Sequence, residues 1–296
     1  METCSSSALR PGERLVAFFD LCKPRVNTLI VFTAMIGMWL AAPQMDQPLL
    51  FFIASLGIAL VAAAAAAVNC LVERTVDARM ARTMTRATAR GSISTTETLL
   101  LSFIVGGAGL LLLHTFVNDL TMWLTLATFL GYAVIYTLLL KPATPMNIVI
   151  GGASGAMPPV LGWTAMTGQI TPEAISLFLI IFLWTPPHFW ALACYRRDEY
   201  ALADLPMLPV THGVTHTCRQ ILAYTVLLCF ASVLPAWLGD SGWLYLSIVA
   251  VLNVIYLAHG VALTRRYSDA LAKRAFTWSI IYLTLLFAAL LLDRLL

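Results

Sequence analysis

The chain has 296 residues, of which 60% are hydrophobic and only 11% are charged, with a formal net charge of +3. A typical soluble domain carries about 25% charged residues, so this composition excludes an ordinary water-soluble fold. The apolar residues come in long runs, which predicts an all-α polytopic membrane protein. We expect membrane lipid around the chain and no nucleic-acid partner.

The first 20 residues are predicted to form a polar cytoplasmic segment. Residues 1–14 lack the apolar stretch of a cleavable signal peptide. Glu2 and Glu13 are unlike a mitochondrial transit peptide, which is poor in acidic residues. We therefore expect a single transmembrane domain over residues 1–296, without a separate soluble domain.

Nine stretches contain no Asp, Glu, Lys or Arg and have the length, at about 1.5 Å per residue, needed to cross a hydrocarbon core of about 30 Å. They are Val26–Ala42, Leu49–Leu71, Thr98–Val117, Leu120–Leu140, Met146–Met166, Ala174–Cys194, Gln220–Gly239, Trp243–Leu263 and Phe276–Leu292. The sequence therefore predicts a bundle of nine transmembrane helices.

The basic residues predict the orientation of this bundle. With a cytoplasmic N-terminus, 17 of the 18 Lys and Arg residues fall in inner segments, and only Arg294 lies outside. Cytoplasmic loops of membrane proteins carry such an excess of basic residues. The predicted location is the bacterial inner membrane, with the active site facing the cytoplasm.

Three oxygen-bearing side chains share one helical face at the inner end of the second span. Asn69, Glu73 and Asp77 are spaced i, i+4 and i+8, which places them within an arc of roughly 80°. Oxygen ligands in this arrangement suit a hard cation such as Mg²⁺. The alternative is a solvated helix end with local ion pairs to Arg74 or Arg79.

Four arginines follow this face at helical spacing, namely Arg79, Arg82, Arg86 and Arg90. Carboxylates beside cations suit a metal-bound diphosphate, because the metal bridges phosphate oxygens to the carboxylates and arginine pairs with the remaining oxygens. Contact with anionic lipid is the alternative for this stripe, and it accounts best for Arg90.

The fifth predicted span is rich in small residues. Gly151–Gly155 contains a small-xxx-small pair, which lets helix backbones approach closely in lipid. Close packing is the first interpretation of these residues. Alternatively, the segment Met146–Gly162 leaves room for a large flat ligand.

A second polar cluster follows the sixth span. The run from Tyr195 to Tyr200 again combines cations with carboxylates, and Lys23, Arg25 and Lys141 are expected at the same membrane depth. Two acidic clusters on opposite helices, with one site between them, predict a clamp for a metal–diphosphate complex.

Four passages resemble a known family: Asn69–Arg86, Thr144–Trp163, Trp184–Trp190 and Glu199–Val210. The first is similar to a motif of the UbiA-type intramembrane prenyltransferase superfamily. The other three resemble its haem branch, the protohaem IX farnesyltransferases or haem O synthases. The resemblance extends over about Leu21 to Leu290.

Three positions depart from the family pattern. Glu73 stands where Asp is usual, and Ala87 replaces a usual Pro, which leaves the local backbone in doubt. Asp204 occupies a position where a small residue or Asn is usual, so it is not counted as a ligand.

The resemblance implies transfer of the farnesyl group of farnesyl diphosphate to a vinyl group of haem B, giving haem O and releasing diphosphate, with Mg²⁺ as the metal. The implied metal ligands, which are also the implied catalytic residues, are Asn69, Glu73, Asp77, Asp198 and Glu199. The implied diphosphate-binding residues are Lys23, Arg25, Arg82, Arg86, Lys141, Tyr195 and Arg196.

Two histidines are candidate haem contacts, because imidazole is a common ligand of haem iron. His188 lies within the sixth span, and His212 follows the second polar cluster. The alternative for each is a structural hydrogen bond to a neighbouring helix. Haem A synthase and terminal-oxidase assembly proteins are the candidate protein partners.

Two other functions are alternatives to the haem prenyltransferase. A superfamily member acting on a quinone precursor or chlorophyllide shares the first passage but lacks Trp184–Trp190 and Met207–Val210. A transporter usually places ionisable residues along its pathway within the membrane, whereas the nine predicted spans contain no Asp, Glu, Lys or Arg. The sequence therefore favours a prenyltransferase acting on haem.

Overall fold

The structure is a computed structural model that describes residues 10–44, 46–239 and 241–295, and the regular elements of these residues are all helices. In chain order they are α1 (Pro11–Leu21), α2 (Pro24–Ala41), α3 (Pro48–Val72), α4 (Arg74–Asp77), α5 (Thr95–Phe116), α6 (Asp119–Leu130), a π-helix (Gly131–Leu140), α7 (Lys141–Ala143), α8 (Asn147–Ala156), α9 (Pro158–Thr167), α10 (Pro172–Tyr195), α11 (Arg197–Leu202), α12 (Leu208–Thr211), α13 (Gly213–Ala231), α14 (Leu234–Trp237), α15 (Trp243–Arg265) and α16 (Asp269–Leu295).

Eight helical segments of the described residues are long and apolar enough to cross a membrane. The chain is therefore a multi-pass all-α membrane protein, as predicted. The seventh and ninth predicted spans begin earlier than expected, at Gly213 rather than Gln220 and at Asp269 rather than Phe276. Charged residues end the apolar runs there, but a helix satisfies its own backbone hydrogen bonds beyond the hydrocarbon core and continues.

The fifth predicted span, Met146–Met166, consists of two ten-residue helices, α8 and α9, with Met157 between them. Pro158 and Pro159 open α9 and have no N–H, so two carbonyls of the preceding turn lose their helical donors. Because this segment is broken, it is not among the eight long helices. The total of nine spans and the orientation stay predictions.

Small residues hold α9 against α2. A Cβ atom added to Gly162 would lie 1.9 Å from the carbonyl oxygen of Ala34, and one added to Gly37 would lie 2.2 Å from that of Pro159. Both neighbours are backbone atoms, so the two helices touch through their main chains. Close packing is thus the role of Gly162, as the first interpretation of this segment had it.

Residues 1–9 of the predicted polar segment 1–20 lie outside the described residues. From Pro11 onward the segment forms the helix α1. Ala17, Phe18 and Leu21 pack on α3, whereas Leu15 and Phe19 are exposed. The segment is therefore not uniformly polar, because apolar side chains occupy both its packed side and its exposed side.

The two long loops meet at one end of the bundle. These loops, residues 73–94 and 196–212, share an apolar cluster that contains Met80, Tyr200, Leu205 and Met207, all buried. Lys23, at the junction of α1 and α2, lies at the same end and contacts Asn69. Because charged side chains gather here, we term this region the polar end. The predicted metal and diphosphate residues are carried by this end of the bundle, whereas His188 lies within α10.

Candidate active site

The end of α3 positions the three residues of the predicted metal face. The helix ends at Val72, and α4 follows after Glu73. The backbone N–H of Glu73 donates to Asn69 over 3.0 Å, and that of Asp77 donates to Glu73 over 2.7 Å. Helical geometry thus continues through the junction, which keeps Asn69, Glu73 and Asp77 on one side.

Asn69 is 2% exposed and its amide is fully engaged. Its Nδ2 donates to Glu73 Oε1 over 2.9 Å and to Thr137 Oγ1 over 3.2 Å. Its Oδ1 accepts a hydrogen bond from Lys23 Nζ. One buried amide therefore links α3 with the π-helix and with the start of α2.

Glu73 forms an ion pair with Lys141, and both side chains are largely buried. Burial by itself raises the pKa of Glu73, but the Lys141 ammonium, with help from Lys23 and Asn69, holds that pKa below its ordinary value. Glu73 is therefore ionised at neutral pH.

Lys23 stands at the N-cap of α2 in the left-handed conformation, with φ 47° and ψ 62°. This conformation is uncommon outside glycine, and here it turns the chain between α1 and α2 so that the ammonium reaches Asn69. Burial lowers the pKa of Lys23. A cation with so little solvent around it favours an anionic partner.

Asp77 is 2% exposed and pairs with Arg86 over 2.6 Å. The hydroxyl of Thr83 donates to the Asp77 carbonyl over 3.2 Å, which fastens the intervening turns. The local ion pairs with Arg74 or Arg79 are not formed among the described residues, since Arg74 donates to the Thr95 hydroxyl and Arg79 pairs with Asp204. The partner of Asp77 is a more distant arginine.

Arg79 pairs at 3.0 Å with Asp204 of the other loop, both side chains being exposed. Asp204 thus has a structural contact that links the two loops. Arg82 and Arg90, the neighbouring members of the stripe, are exposed, and so is Arg25.

The second polar cluster is more open than the first. The side chain of Asp198 is 89% exposed and lies 3.5 Å from Arg197. Glu199 pairs with Arg196 over 3.3 Å, and the Arg196 guanidinium stands 5.7 Å from the centre of the Tyr195 ring.

The four predicted carboxylate ligands are not gathered in one place. Each has its own cation, and in the part of the chain that the structure describes no three His, Cys, Asp or Glu side chains are close enough to hold a metal. Mg²⁺ usually takes only one or two carboxylates and completes its shell with water and substrate phosphates. The buried side-chain oxygens of Asn69, Glu73 and Asp77 can supply this small number of protein ligands.

Thr137 is a contact of the site that the sequence analysis missed. It lies inside the apolar run predicted as the fourth span, yet its hydroxyl meets Asn69. A signal was present, because Thr137 is four residues before Lys141 and so shares its helical face.

A cavity of about 290 Å³ opens directly beside this cluster. Its walls come from α2, α3, α6, the π-helix, the α8–α9 pair, α10 and α16, and they include Lys23, Ile58, Phe129, Tyr132 and Leu161. The lining is mainly apolar, and Lys23 belongs both to the cavity and to the charged cluster. The site therefore combines a charged head with an apolar tail.

The glycine-rich segment has two roles in this cavity. A Cβ on Gly151 would collide with the Tyr136 ring at 2.0 Å, so that position serves packing. Gly155 lines the cavity, and nothing lies within 4 Å of a Cβ placed there. Within Met146–Gly162 the cavity is lined by the end of α8 and by Pro158 and Leu161 of α9.

His188 lies beside the cavity wall. Its ring stacks between Trp184, at 4.2 Å, and Phe276, at 4.6 Å. Its Nδ1 is 2.6 Å from the hydroxyl of Ser279 on α16. This contact is the structural hydrogen bond to a neighbouring helix that is the alternative to haem binding. Trp184, but not His188, is among the residues that line the cavity.

His212 is exposed at the start of α13. Its Nδ1 is 2.8 Å from the Thr211 hydroxyl, and its ring lies 5.4 Å from that of His216. The structure therefore does not bring His212 together with His188.

Residues 30–288 match the UbiA prenyltransferase family. A protoheme IX farnesyltransferase from Dechloromonas aromatica (strain RCB) is 68% identical over 295 residues, which cover 100% of this chain and 99% of the relative. Another protein of that name, from Thiobacillus denitrificans, is 61% identical over 281 residues, covering 95% and 94%.

Solved structures share the architecture at low identity. A digeranylgeranylglyceryl phosphate synthase superposes with a TM-score of 0.81 at 18% identity, covering 95% of this chain and 99% of that one. A UbiA homolog from Archaeoglobus fulgidus bound to GPP and Mg²⁺ superposes with a TM-score of 0.61 at 14% identity, covering 93% and 99%. At such identities the likeness concerns the fold alone, but the family match spans most of the sequence, and the chain belongs to the UbiA prenyltransferase family.

Proposed function

We propose that the chain transfers the farnesyl group of farnesyl diphosphate to a vinyl group of haem B, producing haem O and diphosphate. The observation that carries this proposal is the junction at Lys23, where a buried charged cluster opens onto an apolar cavity. A prenyl diphosphate has the same division into a charged head and an apolar tail. The relatives named protoheme IX farnesyltransferase support haem B as the acceptor.

The diphosphate binds at the polar end. Lys23, Lys141 and Arg86 supply buried or half-buried cations whose present partners are carboxylates or an amide. Phosphate oxygens replace those partners through charge-assisted hydrogen bonds. Arg82, Arg25, Tyr195 and Arg196 lie on the more open side and complete the predicted diphosphate set.

Mg²⁺ is the proposed metal, held by oxygens of Asn69, Glu73 and Asp77 and, from the second loop, Asp198 and Glu199. When bound, the metal neutralises charge that develops on the departing diphosphate. The carboxylates are free to take it once the phosphate oxygens have engaged the lysines and Arg86.

The farnesyl chain occupies the apolar cavity. At about 290 Å³ the cavity is at the small end of ligand pockets, which span about 300–1,000 Å³. We therefore assign it to the slender prenyl chain and place the haem against the aromatic wall of Trp184 and His188. His188 and His212 remain the candidate contacts for the haem.

The reaction breaks the allylic C–O bond, and the electron pair leaves with the diphosphate. The cluster of cations stabilises that negative charge as it develops. The apolar cavity excludes bulk water from the allylic cation, so the electron-rich vinyl group captures it first. Water then adds to the porphyrin-stabilised cation and loses one proton to solvent, which gives the hydroxyl group of the product.

We also propose that the chain lies in the bacterial inner membrane with its polar end in the cytoplasm. The excess of basic residues at that end supports this orientation. Haem A synthase and terminal-oxidase assembly proteins stay the candidate partners.

The test is conversion of haem B by membranes that contain the chain. Haem B, farnesyl diphosphate and Mg²⁺ are supplied, and the haems are analysed by mass for the added hydroxyethylfarnesyl group. Omission of Mg²⁺ and replacement of haem B by a quinone precursor are the controls. Formation of a prenylated quinone precursor with unchanged haem B would overturn the proposal.

A matched pair of variants ties the activity to the site. Asp77→Asn removes a buried negative ligand that is 2% exposed, so turnover should be lost at ordinary Mg²⁺ concentrations. Asp204→Asn changes an exposed carboxylate that contacts only Arg79 among the described residues, so turnover should persist. Equal activity of the two variants would refute the assignment of Asp77 as a ligand.

A further inference from the structure

We infer that Thr137 is a positioning residue, which holds the side-chain amide of Asn69 with its oxygen turned towards the metal–diphosphate site. The inference rests on the proposed function and adds a residue outside the predicted ligand set. Thr137 acts through Asn69.

The π-helix determines what the Thr137 hydroxyl can offer. Thr137 Oγ1 donates to the carbonyl of Tyr132, five residues earlier, over 2.7 Å. In an α-helix the hydroxyl of Ser or Thr reaches the carbonyl three or four residues back, whereas the wider π turn brings the fifth within reach. Because a hydroxyl has one hydrogen, Thr137 has only lone pairs left for Asn69.

Those lone pairs decide which end of the Asn69 amide faces which neighbour. The two ends of an amide have nearly the same shape but opposite hydrogen-bonding character. With Nδ2 towards Thr137, the amide also donates to Glu73 and accepts from Lys23. In the flipped amide, Oδ1 would face lone pairs and a carboxylate, and Nδ2 would face an ammonium group.

Thr137 is the partner that stays when ligands bind. Lys23 and Glu73 are assigned to the diphosphate and the metal, so both exchange their contacts with Asn69 for contacts with the ligands. Thr137 is 4% exposed, and its hydroxyl is fastened to the backbone of its own helix. In the loaded state it is therefore the contact that keeps Asn69 Oδ1, an oxygen ligand suited to Mg²⁺, directed at the metal.

The test compares Thr137→Val, which removes the acceptor at nearly constant volume, with Thr137→Ser, which keeps it. Thr225→Val is the matched control, because the Thr225 hydroxyl is also buried and donates only to the Ile221 carbonyl, over 2.7 Å on α13. The readout is the rise in unfolding temperature of the purified, detergent-solubilised chain on titration with Mg²⁺ at fixed farnesyl diphosphate. Steady-state kinetics are measured alongside.

Thr137→Val should raise the half-saturating Mg²⁺ concentration about fivefold, the equivalent of one net hydrogen bond of about 1 kcal/mol. Thr137→Ser and Thr225→Val should stay within about twofold of the unsubstituted chain. The KM for haem B should be unchanged in all three, since Asn69 serves the diphosphate side. A general packing defect would instead lower the unfolding temperature without ligand and leave the Mg²⁺ dependence as it was.

A double-mutant cycle isolates the amide. Asn69→Asp has no Nδ2 hydrogen for Thr137 to orient, so Thr137→Val should have no further effect on the half-saturating Mg²⁺ concentration in that background. The inference is overturned if Thr137→Val matches the unsubstituted chain, or if it weakens Mg²⁺ binding equally with Asn69 and with Asp at that position. If the unsubstituted chain shows neither stabilisation nor turnover, the proposed function itself fails and the inference with it.

Discussion

Replacing Gly162 with alanine tests whether the contact between α2 and α9 fixes the geometry of the cavity. The added Cβ would lie 1.9 Å from the Ala34 oxygen and 2.8 Å from the Ala34 carbonyl carbon. Ordinary contacts of a Cβ begin at 3.4 Å, so the helices must separate by about 1.5 Å. No rotamer change relieves this, because the obstructing atoms belong to the backbone.

The expected loss of stability follows from two opposing effects. Overpacking of a tight interface costs about 1–3 kcal/mol, and a backbone displacement of this size belongs at the upper end. Alanine has a better helix propensity than glycine by about 1 kcal/mol. The net loss in the free energy of unfolding is therefore about 2 kcal/mol.

The same displacement should affect turnover. Helix α2 carries Lys23 and Thr33 of the cavity wall, and α9 carries Pro158 and Leu161. When the helices separate, the cavity widens and the Lys23 ammonium moves relative to Asn69. We expect a higher KM for farnesyl diphosphate, measured at a temperature where the variant is still folded.

The assay is denaturant unfolding in detergent, followed by tryptophan fluorescence. Gly107→Ala, on α5, is the control, since nothing lies within 4 Å of its added Cβ, and it should be neutral or slightly stabilising. Gly37→Ala, whose Cβ meets Pro159 at 2.2 Å across the same interface, should resemble Gly162→Ala. Stability of Gly162→Ala equal to that of Gly107→Ala would refute the argument.

Three further predictions concern charge, substrate separation and topology. Burial raises the pKa of Glu73, but Lys141, Lys23 and Asn69 together lower it below its ordinary value. The stabilising contribution of Glu73 is therefore complete above pH 4.5 and is lost as the pH falls through the lowered folded-state pKa. The free energy of unfolding measured against pH should decline less in acid for Glu73→Gln, and an identical decline would contradict this. Arg82→Ala should raise the KM for farnesyl diphosphate, through loss of a contact worth about 1.5–3 kcal/mol. His188→Ala should instead weaken haem binding, measured by a spectral titration. Unchanged haem affinity would show that His188 has only a structural role. A cysteine at Asp46 should react with an impermeant thiol reagent from outside, and one at Arg79 should not; the reverse pattern would invert the topology.

The transmembrane helices were predictable because lipid imposes a simple condition on sequence. A long apolar run is expected to form a helix, since only a helix satisfies all backbone hydrogen bonds within one segment in hydrocarbon. The ends were less predictable. Arg219 and Lys273 interrupt the apolar runs, but they lie within α13 and α16, because charged side chains are tolerated where a helix leaves the membrane.

The break in the fifth span follows from a local property of proline that hydropathy does not register. Its composition is apolar throughout, so hydropathy alone treats Met146–Met166 as one helix. The pair Pro158-Pro159 removes two N–H donors, and the helix divides just before it. The break lies at the cavity wall, where Pro158 and Gly155 both line the space.

The candidate site was predictable where it depends on one helix and unpredictable where it depends on several. Spacing alone placed Asn69, Glu73 and Asp77 on one side. The ion pair of Glu73 with Lys141 joins residues 68 positions apart, and no local pattern indicates it. The spacing of Thr137 and Lys141 indicates a shared helical face, but the π-helix that carries Thr137 was not predicted from the sequence.

The charge of the buried cluster suggests how the two polar loops divide their work. Lys23, Lys141 and Arg86 face Glu73 and Asp77, which leaves one positive charge in excess. A prenyl diphosphate carries roughly three negative charges at neutral pH, so its complex with one Mg²⁺ has one negative charge and neutralises the cluster. A second Mg²⁺ would leave two positive charges in a poorly solvated place, which is costly. We propose that the carboxylates of Asp198 and Glu199, on the second loop, offset this excess when a second metal binds. We therefore expect charge-neutral variants of the second loop to retain the first metal and lose the second, which a Mn²⁺-binding stoichiometry measured with farnesyl diphosphate would reveal.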